Sequence, residues 1–204
     1  MPNLLAIAPL IAALAMTNSA ENQGERFTRF TGFELGRAAL SDVQKILGPS
    51  PLLETGEAGE YEAWVCYSLP AGQVEFNSGE MGGSTHDLLG FTVSRHGRNQ
   101  HCPDWPGTTP APAMQLGDVS LGISTKEFET ALKAPVEWQG NLGTCHYDYR
   151  REPTQAEILA LPAELRAQAE EDPAQFMLDV LITVEGTFDH GRLVTLTAWK
   201  IESY

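Results

Sequence analysis

Four prolines fall within eleven residues, Pro103, Pro106, Pro110 and Pro112, and no other feature restricts this chain's folding so tightly. Proline fixes φ and carries no backbone N–H, so the stretch can be neither a helix nor an inner strand. It is expected to run extended as a linker over 103–114. It would divide the chain into two units, 21–102 and 115–204.

The segments on either side repeat one another. Before the linker come Leu35-Gly36 and then Ala39-Leu-Ser41-Asp-Val43-Gln-Lys-Ile46-Leu47-Gly48-Pro49. After it come Leu121-Gly122 and then Ser124-Thr125-Lys-Glu-Phe128-Glu-Thr-Ala131-Leu132-Lys-Ala-Pro135. Each has a hydroxyl N-cap candidate, Ser41 in the first and Ser124 or Thr125 in the second. Apolar residues then recur at helical spacing (Val43/Ile46/Leu47; Phe128/Ala131/Leu132) until a proline stops the run. Strand signals follow at 61–69, 73–78 and 88–94, and again at 144–150, 177–188 and 192–201. Period-2 alternation puts Ala63, Val65, Tyr67 and Leu69 on one buried face, matched by Cys145, Tyr147 and Tyr149. Asp189-His-Gly191 predicts a tight hairpin, with Glu80-Met-Gly-Gly83 as its looser counterpart. The expected fold is therefore α+β: two tandem units, each a short helix packed on an antiparallel β-meander. The alternative is a single α+β domain in which helix–strand order recurs by chance.

The units differ where their first two strands connect. The first turns within Pro70-Ala-Gly72; the second carries a helical insertion, 152–175. There Thr154-Gln-Ala-Glu157 forms a capping box, Pro162 opens a second helix and Pro173 closes it. Its apolar face is thin (Ile158, Leu159, Leu161, Leu165), which suits either a partner-contact arm or a tolerated insertion at a hairpin tip.

A short helix opening with Gly and a hydroxyl residue and closing with Leu-Gly-x-Pro, followed by an antiparallel meander, resembles the outer-membrane assembly lipoprotein family BamE (SmpA). In tandem it is similar to the β-lactamase inhibitory protein fold. Leu35-Gly36, Ser41, Val43 and Leu47-Gly48-Pro49 carry the likeness in the first unit; Leu121-Gly122, Thr125, Phe128 and Leu132 carry it in the second. The chain departs from both patterns. It lacks the lipobox cysteine, and its three cysteines cannot supply one disulfide per repeat. The resemblance implies a periplasmic or secreted binding module.

Export is also written at the start of the chain. Leu4 to Met16 is apolar and uncharged, and Asn18-Ser19-Ala20 are small residues suited to signal peptidase. The run is too short to span a bilayer, so residues 1–20 read as a cleaved signal peptide, although no Lys or Arg precedes it. A buried N-terminal helix is the other reading. No second apolar run reaches membrane-spanning length, so no membrane span is expected after cleavage. The formal charge of −14 excludes a nucleic-acid or anionic-lipid surface, both of which need clustered Lys/Arg. It suits solubility, or the steering of a basic partner.

In an oxidising compartment two of Cys66, Cys102 and Cys145 are expected to pair. Cys66 alternates with Val65 and Tyr67, so it projects from the sheet face opposite the helix. Cys102 follows the third strand, where the chain can fold back over that face. The expected disulfide is Cys66–Cys102, with Cys145 a small apolar residue in the other unit.

No catalytic residue and no cofactor is assigned. No nucleophile elbow, S-x-x-K, H-E-x-x-H or phosphate loop is present. His96, His101 and Cys102 make a metal site conceivable, but loop histidines are ordinarily solvated and Cys102 is expected in a disulfide, so no metal is assigned. Cys145 and His146 point to opposite faces of a strand and cannot share a proton. His86 and His190 lie in loops. Trp64, Trp105, Trp138 and Trp199 serve as core or linker-docking residues as readily as ligand platforms. Two functions remain: a non-catalytic module binding another envelope or secreted protein, or a small-ligand-binding protein or hydrolase with a site between the units.

Overall fold

The structure is a computed structural model and describes residues 23–97 and 101–203; the expected signal peptide lies outside them. The first half runs β1 (Arg29–Phe30), β2 (Phe33–Glu34), α1 (Leu40–Leu47), β3 (Leu53–Thr55), β4 (Glu62–Leu69), β5 (Gly72–Gly79) and β6 (Gly90–Ser94). The second runs β7 (Gln115–Leu116), β8 (Val119–Ser120), α2 (Thr125–Leu132), β9 (Glu137–Gln139), β10 (Leu142–Arg151), α3 (Gln155–Ala160), α4 (Ala163–Glu171), β11 (Leu178–Asp189) and β12 (Arg192–Ser203). The fold is α+β. Each half is a small hairpin, a helix and a four-stranded meander, and the insertion adds α3 and α4 between β10 and β11.

The two meanders make one antiparallel eight-stranded sheet in the order β3-β4-β5-β6-β12-β11-β10-β9. The seam is the β6–β12 pair, from Thr195 opposite Ser94 to Trp199 opposite Gly90. The last strand of each half is therefore central, and the short β3 and β9 form the edges. The two-residue turn at His190-Gly191, with φ of 46° and 72°, lets β11 return directly as β12.

Both helices lie on one face of the sheet. In α1 the buried stripe is Leu40, Val43 and Leu47, whereas Ile46 is 64% exposed. At 100° per residue, Leu40 falls beside Val43 and Leu47 while Ile46 rotates away. The helix also begins two residues earlier than Ser41 as N-cap would place it. Ala39 is the N-cap residue, and its N–H donates to the Asp42 carboxylate at 3.1 Å. In α2 the Ser124 hydroxyl accepts from the Glu127 N–H, and the Glu127 carboxylate accepts from the Ser124 N–H at 2.7 Å. Phe128 and Leu132 are fully buried. Equivalent tyrosines hold both helix ends: Tyr67 donates to the Gly48 carbonyl and Tyr147 to the Leu132 carbonyl, each at 2.7 Å.

One apolar cluster runs beneath both halves, from Phe30, Phe76 and Phe91 to Phe128 and Phe188. The Phe128 and Phe188 rings meet edge to face at 5.4 Å. Arg26, from the N-terminal turn, donates to the Ala131 and Leu132 carbonyls at the end of α2. A first-half residue thus caps a second-half helix, binding the halves together beyond their shared sheet. Between β5 and β6, residues Glu80–Thr85 form a 3₁₀ segment ending in left-handed His86, rather than a simple hairpin turn.

The proline-rich segment is docked against the sheet edge, and it turns at Pro106–Thr109, where the Thr109 N–H donates to the Pro106 carbonyl at 3.0 Å. Ser68 in β4 donates to the Pro103 carbonyl at 2.7 Å and accepts from the Trp105 N–H at 2.8 Å. This parallel bridge continues the edge of β4 beyond the reach of β3. Trp105 turns under the edge onto Tyr67, with ring centroids 5.9 Å apart, and its indole N–H donates to the Thr109 carbonyl. Among the described residues, no helix is long and apolar enough to cross a membrane.

Candidate functional site on the open sheet face

The face opposite the helices is polar because the strands alternate. Cys66, Glu75, Thr92, Thr197 and Glu185 stand side by side across five strands. A second row is Trp64, Asn77, Gly90, Trp199 and Thr183, and a third contains Gln73, Ser94 and Thr195. At the first-half end of this face Cys102 is joined to Cys66 by a disulfide with Cα atoms 5.2 Å apart, and Gly97 lies against the Gln73 side chain. Gln73, Glu75, Asn77 and Ser94 are buried although they lie outside the apolar core.

At the seam this arrangement leaves a cavity of about 240 Å³. Glu62, Glu75, Thr92, Ser94 and His96 come from the first half; Glu185, Thr195, Thr197 and Trp199 come from the second. The Asn77 amide donates to the Thr92 hydroxyl at 3.0 Å, and the Thr92 and Thr197 hydroxyls are 3.1 Å apart. These bonds fix the cavity floor. The Ser94 hydroxyl is buried without a hydrogen-bond partner. Trp199 lies over its cross-strand neighbour Gly90, where an added Cβ would sit 2.8 Å from the indole. Gly90→Ala is therefore expected to lift the indole and cost about 1–2 kcal/mol, read by denaturant unfolding and by the Trp199 indole resonance.

His86, His146 and His190 do not line this cavity. His86 meets the Tyr61 hydroxyl at 3.0 Å, His146 meets the Thr183 hydroxyl at 3.1 Å and His190 occupies the β11–β12 turn. Among the described residues no group of three or more His, Cys, Asp or Glu could hold a metal. The disulfide also removes Cys102 as a thiolate beside His96 and His101. Cys145 is buried in the core, and burial pushes its thiol pKa up, which keeps it protonated and unreactive. Of the four tryptophans, Trp105 docks the proline-rich segment, while Trp138 packs on Phe188 at 5.4 Å. Trp199 alone lines the cavity.

The insertion presents a second surface. Ile158 and Ala169 are buried, while Leu159 and Leu165 are 52% and 40% exposed. Arg166 in α4 donates to the Leu159 and Leu161 carbonyls, tying α4 back to α3. Arg151 anchors α3 by two hydrogen bonds to Glu157, at 2.8 and 2.6 Å.

No local sequence signal marks Glu75, Glu185 or Ser94 as site residues, whereas Trp199 is one of the four tryptophans weighed above as ligand platforms. Their alternation with Leu196, Ala198 and Val184 does place them on the outer face. Their convergence depends on β6 pairing with β12, which no local pattern encodes.

No protein-family model matches the chain, which leaves the resemblance to BamE without support there, and no curated protein matches it. Among solved structures it is similar to a candidate β-lactamase inhibitor protein from Streptococcus mutans, at 8% identity and a TM-score of 0.25, covering 92% of this chain and 98% of that one. It is also similar to an extracellular protein containing an SCP domain from Bacillus anthracis, at 13% identity and a TM-score of 0.36. That match covers 83% of this chain but spans about half of that protein, 49%. Likenesses this remote do not bear on function.

Proposed function

We propose that this chain is a non-catalytic, secreted or periplasmic protein-binding module that captures another envelope or secreted protein on the open face of its sheet. The observation that carries this reading is the polar face itself, continuous across both halves and left uncovered by helices. A floor of buried carboxylate, amide and hydroxyl groups contributes less to stability than an apolar one, so its presence is better explained by recognition than by packing. The Cys66–Cys102 disulfide supports an oxidising compartment.

The two halves are read as diverged copies of one unit. Their common hairpin–helix–meander order, mirrored about the β6–β12 seam, and the matched tyrosine bonds to both helix ends support this. A small-ligand or hydrolytic site is the second reading, favoured by the cavity where carboxylates from both halves and His96 come together.

Purification of the native protein from a periplasmic or culture fraction separates these readings. A stoichiometric protein partner supports the module, whereas a bound small molecule with no protein supports the second reading. With the partner in hand, the −14 charge predicts that association slows as salt rises toward about 0.15 M, where the screening length is about 8 Å. A salt-independent rate in stopped-flow mixing would assign the charge to solubility alone.

A further inference from the structure

We propose that the outer edge of β10 is a self-association surface, on which a second copy of this chain pairs antiparallel over Tyr147–Arg151 about a two-fold axis at Tyr149. This surface is distinct from the open face, and the proposal does not rest on the reading of that face.

The first half closes its matching edge from within. Beyond β3, the Ser50 hydroxyl accepts from the Cys66 N–H at 3.2 Å and donates to the Cys66 carbonyl at 2.9 Å. The next outward residue, Ser68, is bonded by Pro103 and Trp105. Tyr67 and Tyr147 hold equivalent helix ends, so His146 and Asp148 stand where Cys66 and Ser68 stand in the first half.

The second half has no such cover. The Gly140-Asn141 turn sets Leu142 opposite Gln139, and the Asn141 carbonyl accepts from the Phe188 N–H. Main-chain direction alternates from there, so the odd-numbered residues of β10 serve the ladder to β11 and the even-numbered ones face outward. β9 meets only Leu142–Thr144. Where the first half has Gly48-Pro49-Ser50 after its helix, the second has Lys133-Ala134-Pro135, which brings no hydroxyl. Among the described residues, no group bonds the outward main-chain N–H or C=O of Asp148 or Arg150. Both residues are exposed. A bare edge of this kind is a template for another strand.

Charge selects a second copy as that strand. A register that sets Asp148 opposite Arg150 of the second copy also sets Arg150 opposite the second copy's Asp148, with these side chains on the open face. Opposite charges directly across two strands attract, whereas a run of like charges would block self-pairing. The same register lets Asp148 and Arg150 exchange both main-chain bonds across the axis, because both belong to the outward set. Arg150 also meets Asp179 at 2.9 Å, but the two side chains are 63% and 66% exposed, so that pair holds it loosely. The guanidinium has donors for both carboxylates. The overall charge of −14 opposes association and the contact is short, so the dimer is weak, with Kd on the order of 100 µM.

Sedimentation equilibrium of the exported chain at about 0.15 M salt tests this, the screening length there being about 8 Å. Wild type should dimerise, and Asp148→Arg and Arg150→Asp should each raise Kd at least about tenfold, since each sets like charges across the axis. Mixing the two variants should restore association to within about threefold of wild type, because each supplies the charge the other lacks. A chain still monomeric at about 1 mM, a dimer indifferent to both substitutions, or a mixture that stays monomeric would overturn the proposal. Hydrogen exchange adds a second readout: the Asp148 and Arg150 amides should gain protection as the concentration of the chain alone rises. Protection that appears only when a different protein is added would assign the edge to that protein and overturn the pairing of two copies.

Discussion

Replacing Cys66 and Cys102 together by serine is expected to cost about 4 kcal/mol and lower Tm by about 10 °C, a large fraction of a typical domain's margin of about 5–15 kcal/mol. The bridge closes a loop of 36 residues, and in the chain-entropy account that constraint on the unfolded chain sets the size of the effect. Two local consequences add to it. The bridge holds Cys102 beside Gln73, whose amide donates to its sulfur at 2.7 Å, and it sets where the chain leaves the open face to reach the Ser68–Trp105 bridge. The loss should therefore be greatest around β4 and the proline-rich segment. Hydrogen exchange of the serine variant should show deprotection of Cys66–Ser68 and Trp105 before that of β11, and uniform deprotection would argue for a purely global effect.

Lys200→Met is expected to cost about 2–4 kcal/mol at neutral pH, because it leaves the partly buried Glu25 and Glu202 carboxylates without the ammonium between them. Lys200 is only 6% exposed, and its ammonium lies 3.0 Å from both Glu25 and Glu202. Arg151 bonds Glu202 in turn and reaches Glu157, joining the N-terminal turn, the last strand and the insertion in one network. The Arg151 hydrogen bonds hold the Glu157 pKa at about 2, against 4.5 for a free glutamate. Burial would raise Glu25, but hydrogen bonds from Tyr149 and Lys200 and the Lys200 charge outweigh it, and its pKa is lowered. Glu202 is lowered in the same way, burial being outweighed by Arg151 and Lys200.

A carboxylate with a depressed folded pKa stabilises the fold fully above its unfolded value and loses that contribution as pH falls through its folded value. Wild-type stability should therefore hold from pH 7 to about 5 and decline as pH drops from 4.5 toward 2, with Glu157 contributing roughly 3 kcal/mol of the loss. In Lys200→Met the depression of Glu25 and Glu202 is reduced, Tyr149 and Arg151 keeping part of it, so the penalty of the substitution should shrink on acidification. Urea unfolding across this range reads both curves, and a penalty independent of pH would show that Lys200 acts through packing alone.

Most elements were legible because each obeys a local rule. The capping boxes at Ser124 and Thr154, the alternation of Val65 and Tyr67 and the turn at His190-Gly191 all depend on neighbours within a few residues. What escaped depends on distant partners. Strands β3 and β9 have three residues each and exist only because β4 and β10 offer them an edge. Ala39 carries no capping oxygen, so the start of α1 is visible only through Asp42. The Arg26 cap on α2 and the Thr92–Thr197 contact at the cavity floor join residues 105 positions apart, and each needs the two halves to share one sheet.

The central claim is that the partner binds the open face at the seam. The most direct measurement compares the partner affinity of wild type with that of Thr197→Arg, which places a bulky cation in the middle of that face, and of the Leu159→Glu/Leu165→Glu pair on the insertion. The account predicts at least about a hundredfold loss for Thr197→Arg and wild-type affinity for the insertion variant, with both variants keeping the wild-type fold. Wild-type affinity in Thr197→Arg, with binding lost in the insertion variant, would contradict it and move the interface to the insertion.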